Sequence, residues 1–196
     1  MVHVYFTSVV EGVMEAVFPP RRQAQLEETK NESCRRQRYS VWKLLEYGLR
    51  RSLGRTMEQL DFSLDDRGRW SCDQCFFSLS HSGNAVAVAI SDAPVGVDVE
   101  DLQRSLHPAL PGKILTEPEQ GEFAALDEGR QNKYLLEKWC CKESRFKFRE
   151  AAKVEGTAEK TCAGTVTVAG QVYCYAVTTK NKVQPKLFVL EDDLWN

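Results

Sequence analysis

Apolar and polar positions along the chain fall into short alternating runs separated by longer stretches with helical spacing. Val2-His3-Val4-Tyr5-Phe6 opens as a strand. Residues 21–38 are polar and helix-prone. From Val41 to Leu53 apolar residues stand at 41, 42, 44, 45 and 49, the pattern of an amphipathic helix ending near Gly54. Asp65-Asp66-Arg67-Gly68-Arg69 is a turn by composition. Phe76–Ser80, Ala85–Ile90 and Val95–Glu100 read as three strands. His81-Ser82-Gly83-Asn84 and Ser91-Asp92-Ala93-Pro94 join them, most simply as an antiparallel meander. A loop with Pro108 and Pro111 follows, then helices over about 117–126 and 131–149. A hairpin of 164–168 with 171–178 and a last strand at 186–190 complete the chain. Strands and helices in this mixed order, with antiparallel pairings, predict an α+β fold.

The third of those strands carries the first chemical signal. Valines at 95, 97 and 99 alternate with Gly96, Asp98 and Glu100, so both carboxylates lie on one face, about 7 Å apart at Cα. Two such acids repel unless a cation sits between them, and Mg²⁺, which takes hard oxygen ligands, is a natural candidate. A solvated edge strand explains the same pattern. The meander returns Asp98 and Glu100 to the end of the sheet where His81 lies, so a histidine and two carboxylates are expected to converge.

The helix over 131–149 carries the second. Leu135, Trp139, Lys142, Glu143 and Phe146 share one predicted face, with Lys147 at its margin. Charges on an apolar stripe call for partners. A Lys–Glu pair at the rim is one account, although adjacent helix positions do not face each other. Glu143 as a third metal ligand, with lysines meeting phosphates, is the other. The basic cluster Lys30, Arg35, Arg36 and Arg38 reads either as a solvated face or as a phosphate-binding edge.

Composition then narrows the classes. The 196 residues, 42% hydrophobic and 28% charged, make one globular domain or two intimately packed halves. The net charge of -2 argues against general nucleic-acid binding. No apolar run reaches a membrane span, and no basic segment precedes a long apolar core at the start, so a cytoplasmic protein is expected. Seven cysteines show no disulfide framework, and Cys72-x-x-Cys75 lacks the second ligand pair of a structural zinc site, which leaves ordinary thiols as the expectation. No Gly-x-x-x-x-Gly-Lys-Ser/Thr loop is present, which removes the P-loop class of phosphate enzymes.

Three segments together resemble the 4′-phosphopantetheinyl transferase superfamily, in its longer, surfactin-synthetase-activator type. They are Phe77-Ser78-Leu79-Ser80-His81-Ser82-Gly83, Gly96-Val97-Asp98-Val99-Glu100, and Trp139-Cys140-Cys141-Lys142-Glu143-Ser144 with Lys147 beyond. The resemblance implies a pseudo-twofold pair of similar α+β halves, here residues 1–100 and 101–196, binding coenzyme A and Mg²⁺ (Mn²⁺ as a substitute) between them. It implies Asp98, Glu100 and Glu143 as metal ligands. Ser80 and His81 would contact the coenzyme phosphates, and Lys142 and Lys147 would neutralise charge. Lys30 and Arg36, with the turn at Gly68 and Arg69, would hold the 3′-phosphate and adenine. The implied reaction moves 4′-phosphopantetheine from coenzyme A to a serine of an apo acyl or peptidyl carrier protein and releases 3′,5′-ADP. Glu143 would be the base and Lys147 the charge stabiliser, in a protein expected to act as a monomer. Two departures bear on the adenine grip and the carrier contacts. Trp70 stands where a proline is common, and Phe148 to Lys153 replaces a glycine-rich stretch. The alternatives are another Mg²⁺-dependent phosphotransferase and a non-catalytic coenzyme A- or carrier-binding module.

Overall fold

The computed structural model describes residues 1–12, 14–16, 18–107, 109–153 and 158–191; Pro108 of the expected loop lies outside them. Strand β1 (Val2–Ser8) is followed by helices α1 (Pro20–Glu28) and α2 (Glu32–Leu53). The polar stretch is thus two helices. The Asn31 side chain caps the second by accepting from the Cys34 N–H at 2.9 Å. Gly54 ends α2 as expected, at φ 65°, a left-handed position where glycine avoids a side-chain clash. A short hairpin of β2 (Phe62–Leu64) and β3 (Trp70–Cys72) flanks the predicted turn at 65–69, and neither strand was anticipated.

Strands β4 (Phe76–Ser82) and β5 (Ala85–Ser91) form an antiparallel pair, so His81 and Ser82 belong to a strand and the turn is only Gly83-Asn84. Strand β6 (Val95–Asp101) does not continue that pair. The expected meander is therefore corrected, because both edges of β5 are taken, one by β4 and the other by β1 over seven residues. The first sheet runs β4-β5-β1-β9, with β9 (Lys186–Val189) parallel to β1. The second runs β6-β8-β7, built from β7 (Lys160–Val168) and β8 (Gln171–Thr179). The expected loop after β6 contains a helical turn, α3 (Pro111–Ile114), before α4 (Glu117–Ala124) and α5 (Glu128–Ala152).

These elements stack in four layers. Tyr5, Val86, Val88 and Ile90 meet Trp42, Leu44, Leu45 and Leu49 of α2 on one side of the first sheet. On its other side, Val4, Phe6, Ala85, Ala87 and Ala89 meet Val95, Val97, Val99, Tyr173 and Val177 of the second sheet. Leu136 and Cys140 of α5 pack on Cys174 and Ala176 from the far side. The fold is α+β with mostly antiparallel strands. The two sheets do not divide at residue 100, since β6 joins the second sheet and β9 returns to the first.

Helix α5 lies unusually close to β6. A Cβ on Gly96 would stand 2.0 Å from the Ser144 carbonyl oxygen and 2.6 Å from the Phe148 nitrogen, both backbone atoms. Gly96→Ala is therefore expected to cost about 3 kcal/mol through overpacking, read as a shift in the urea midpoint. An unchanged midpoint would mean that α5 retreats freely.

Candidate active site

Edge strands β4 and β6 run side by side in the same direction, yet no backbone bond joins them. Serine side chains do so instead. The amide N–H groups of Val97, Val99 and Asp101 donate to the hydroxyls of Ser78, Ser80 and Ser82 at 3.0, 3.2 and 3.1 Å. Two of those hydroxyls then donate onward, Ser80 to Asp98 Oδ1 at 2.8 Å and Ser82 to Glu100 Oε2 at 2.7 Å. The Ser80 and Ser82 hydroxyls are donor and acceptor at once, and the alternation of β4 puts all three serines on the β6 side. The convergence expected from the meander is thus reached by a different route.

Asp98 and Glu100 are not solvated, at 5% and 6% exposure. The ammonium of Lys147 on α5 reaches Asp98 Oδ1 at 2.7 Å and the Val97 carbonyl at 3.1 Å. Asp98 Oδ2 is buried and has no partner among the described residues. Glu100 is enclosed. Arg104 donates to its two oxygens at 3.1 and 3.0 Å, and the Trp139 indole N–H donates to Oε1 at 3.0 Å. Glu143 has no hydrogen-bond or ion-pair partner among the described residues. Burial raises its pKa first, then the charge of Asp98, with Glu100 adding and Lys147 and Lys142 opposing. No group of three or more ligating side chains is already gathered in metal-binding geometry among the described residues. Oxygens at Asp98 and Glu143 nevertheless stand without partners, the donor set that a hard divalent cation takes.

The predicted apolar stripe on α5 needs correction. Leu135 of that stripe is buried and Trp139 packs against it, but the line facing β6 is Leu136, Cys140, Ser144 and Phe148, where the small Cys140 and Ser144 permit the approach to Gly96, and Lys142 is exposed and Phe146 is 58% exposed. Lys142 donates to the Lys113 carbonyl at 2.7 Å.

A cavity of about 580 Å³ opens beside this centre, lined by Arg22, Arg38, Gly68, Trp70, Ser80 and His81 among others. Arg22 is only 6% exposed, lies over the Trp42 ring at 5.2 Å and donates to the Arg38 carbonyl at 2.6 Å. No carboxylate pairs with it among the described residues. Burial, and then Arg38, lower its pKa to about 10, so it remains a cation at neutral pH. At the cavity mouth, partial burial and then the charges of Lys147 and Arg38 lower the His81 pKa. A second cavity of about 370 Å³ shares Gly68, Trp70 and Leu79 and is further lined by Arg69, Phe146 and Lys147. Of the remaining expected residues, Lys30 is exposed and lines neither cavity. Arg36 donates to the carbonyls of Val10, Glu11 and Gly12 at 3.2, 2.9 and 3.0 Å and pairs with Glu32, which ties down the segment after β1. Sequence reasoning missed Arg22 and Arg104. Arg22 had one weak signal, its spacing of four from Leu26 on the buried face of α1.

Three carboxylates, a lysine and a cavity lined by two arginines, with Glu28 at its wall, make a centre suited to a ligand with several phosphate charges. Comparison with known proteins agrees. Residues 94–174 match the model of the 4′-phosphopantetheinyl transferase superfamily, taking in two of the three motif segments. The 4′-phosphopantetheinyl transferase psf-1 of Bacillus pumilus is 32% identical over 95 residues, 47% of this chain. The matched part spans 40% of that relative's length. The resemblance drawn from the motifs is borne out at the level of the superfamily.

Glu143 yields a pH prediction. Its folded pKa is raised, so its contribution to stability is full below the ordinary glutamate range and is lost as pH rises through the folded value. In metal-free protein Glu143→Gln should therefore melt higher than the parent at neutral pH, and the difference should close in acid. Equal melting temperatures across the pH series would contradict the raised pKa.

Proposed function

We propose that this protein transfers 4′-phosphopantetheine from coenzyme A to a serine of an apo acyl or peptidyl carrier protein, as a surfactin-synthetase-activator type enzyme. The observation that carries the reading is the unpartnered oxygens, Asp98 Oδ2 and the Glu143 carboxylate, beside a cavity lined by Arg22 and Arg38 in which Arg22 has no ion-paired carboxylate among the described residues. The same reading takes residues 1–100 and 101–196 as the two similar halves of the family fold, with β6 and β9 as the strands each lends to the other.

Under this reading Arg22, Arg38 and His81 receive the terminal phosphate of coenzyme A, and Trp70 and Gly68 flank the base. Asp98 and Glu143 would hold Mg²⁺, with Glu100 behind them on Arg104 and Trp139. The metal, when bound, supplies positive charge against the pyrophosphate oxygens. Lys147, already in the second cavity, adds charge on the same oxygens or protonates the leaving group. Glu143 takes the proton of the carrier serine, directly or through water, for which a raised pKa suits it. The serine oxygen attacks the β-phosphorus, and 3′,5′-ADP departs. The carrier is received where Phe146 stands exposed among Lys142, Arg145 and Arg149, a surface matched to an acidic helix with an apolar residue near its serine.

Incubation with coenzyme A, Mg²⁺ and an apo carrier, followed by intact mass measurement, tests the activity. A phosphopantetheine adduct that disappears with EDTA is expected. Coenzyme A binding with every carrier left unmodified would identify a binding module instead. Because Asp98 has the open oxygen and Glu100 is enclosed, Asp98→Ala should lower turnover about 100-fold or more, and Glu100→Ala less. The reverse order would reassign the ligands. Phe146→Ala should raise the carrier KM about tenfold and the coenzyme A KM by less, and steady-state kinetics with each substrate varied separates the two.

A further inference from the structure

The function proposed above makes no use of Cys72 and Cys75. Cys72 ends β3, Cys75 stands just before β4, and Asp73-Gln74 forms the turn between them. The two cysteines oppose each other in an antiparallel bridge. Opposed residues of such a pair have Cα atoms about 4.5–5.5 Å apart, within the range of about 4.4–6.8 Å found across disulfides. Both thiols are free, and Cys72 Sγ donates to Gln74 Oε1 at 3.0 Å. Both line a cavity of about 650 Å³ bounded also by Arg69, Trp70 and Pro94, which gives a small molecule access to sulfur. Among the described residues no third ligand joins them in a metal-binding group.

We propose that Cys72 and Cys75 are a modification site that closes to an intrachain disulfide on contact with a peroxide. The half-buried Cys72 is the attacking thiol and the buried Cys75 the resolving one. The Cys72 sulfur takes one peroxide oxygen as the O–O bond breaks, giving a sulfenic acid and one water. The Cys75 sulfur then bonds to the Cys72 sulfur, and the sulfenic oxygen leaves as a second water with the Cys75 proton. Two thiols lose two electrons in all, and one peroxide becomes two waters. Burial, followed by the nearness of Cys72, pushes the Cys75 thiol up to about 12, which supports this division of roles.

The full chain is well suited to a direct test, because trypsin releases residues 70–104 as one peptide containing these two cysteines and no other. Reduced protein is treated with hydrogen peroxide, alkylated, digested and weighed. The expected peptide is unalkylated and lighter by two hydrogens, and dithiothreitol before alkylation restores both alkyl groups. In Cys75→Ser, peroxide should leave a Cys72 sulfenic acid that dimedone traps. Two alkylated cysteines after peroxide, or a Cys72 carried to sulfinic acid with Cys75 still alkylated, would overturn the proposal. The wild-type peptide decides the matter even where a variant does not fold.

Discussion

Everything at the acidic centre depends on the three serines of β4. Where two edge strands meet inside a protein, the facing N–H groups need acceptors, and each left unmet costs about 1–3 kcal/mol. Backbone pairing would supply acceptors but would bring β4 and β6 to ordinary sheet spacing. The hydroxyls of Ser78, Ser80 and Ser82 accept from β6 instead and stand between the strands. Because a hydroxyl that accepts can still donate, Ser80 and Ser82 also orient the carboxylates of the residues before those amides. Alanines there would have left the amides unmet and taken one orienting donor from each acid. The Ser-x-Ser-x-Ser spacing is thus a structural joint and a means of aiming two carboxylates.

The second constraint is the approach of α5. Gly96 has no side chain to hold the helix off, and Ser144 and Cys140 are small enough to use the space. Once that line of contact is set, the helical repeat fixes what lies beside it. Glu143 precedes Ser144 by one residue and Lys147 precedes Phe148 by one, so both stand on the same flank of the buried line, toward the edge of β6. Lys147 reaches Asp98 only because the helix axis is this near. The tight packing at one glycine and the chemistry two residues along the same strand are therefore one arrangement.

Local patterns were legible where they rested on nearest neighbours. The alternation at Val95–Glu100, the amphipathic run at 41–53 and the hairpin around Ala169-Gly170 all stand in the structure. Pairing between distant segments was not legible. Nothing in Ala85–Ile90 says that its second edge is claimed by Val2–Ser8, and that claim is what sends β6 to β8. On α5 the expected stripe was right at Leu135 but turned too far toward Lys142 and Phe146, because the helix faces β6 through Leu136, Cys140, Ser144 and Phe148, leaving Phe146 outside. Asp98, Glu100, Glu143 and Lys147 could be named from their spacing, but the division of cations among them could not. Arg104 is a loop residue whose relation to Glu100 exists only once the chain turns after β6.

That division has a consequence for any ligand. Asp98 is answered by Lys147 and Glu100 by Arg104 and Trp139, while Glu143 has neither. Lys142 offsets Glu143 in part, though its ammonium is bonded to the Lys113 carbonyl. The centre is thus short of positive charge before any phosphate arrives. A pyrophosphate entering alone would add repulsion to a site that already holds the Glu143 carboxyl above its ordinary pKa. A pyrophosphate entering with a divalent cation would supply the missing charge and occupy the open oxygens of Asp98 and Glu143 together. Binding of metal and of phosphorylated ligand should therefore reinforce each other, since each relieves the cost that the other would meet by itself.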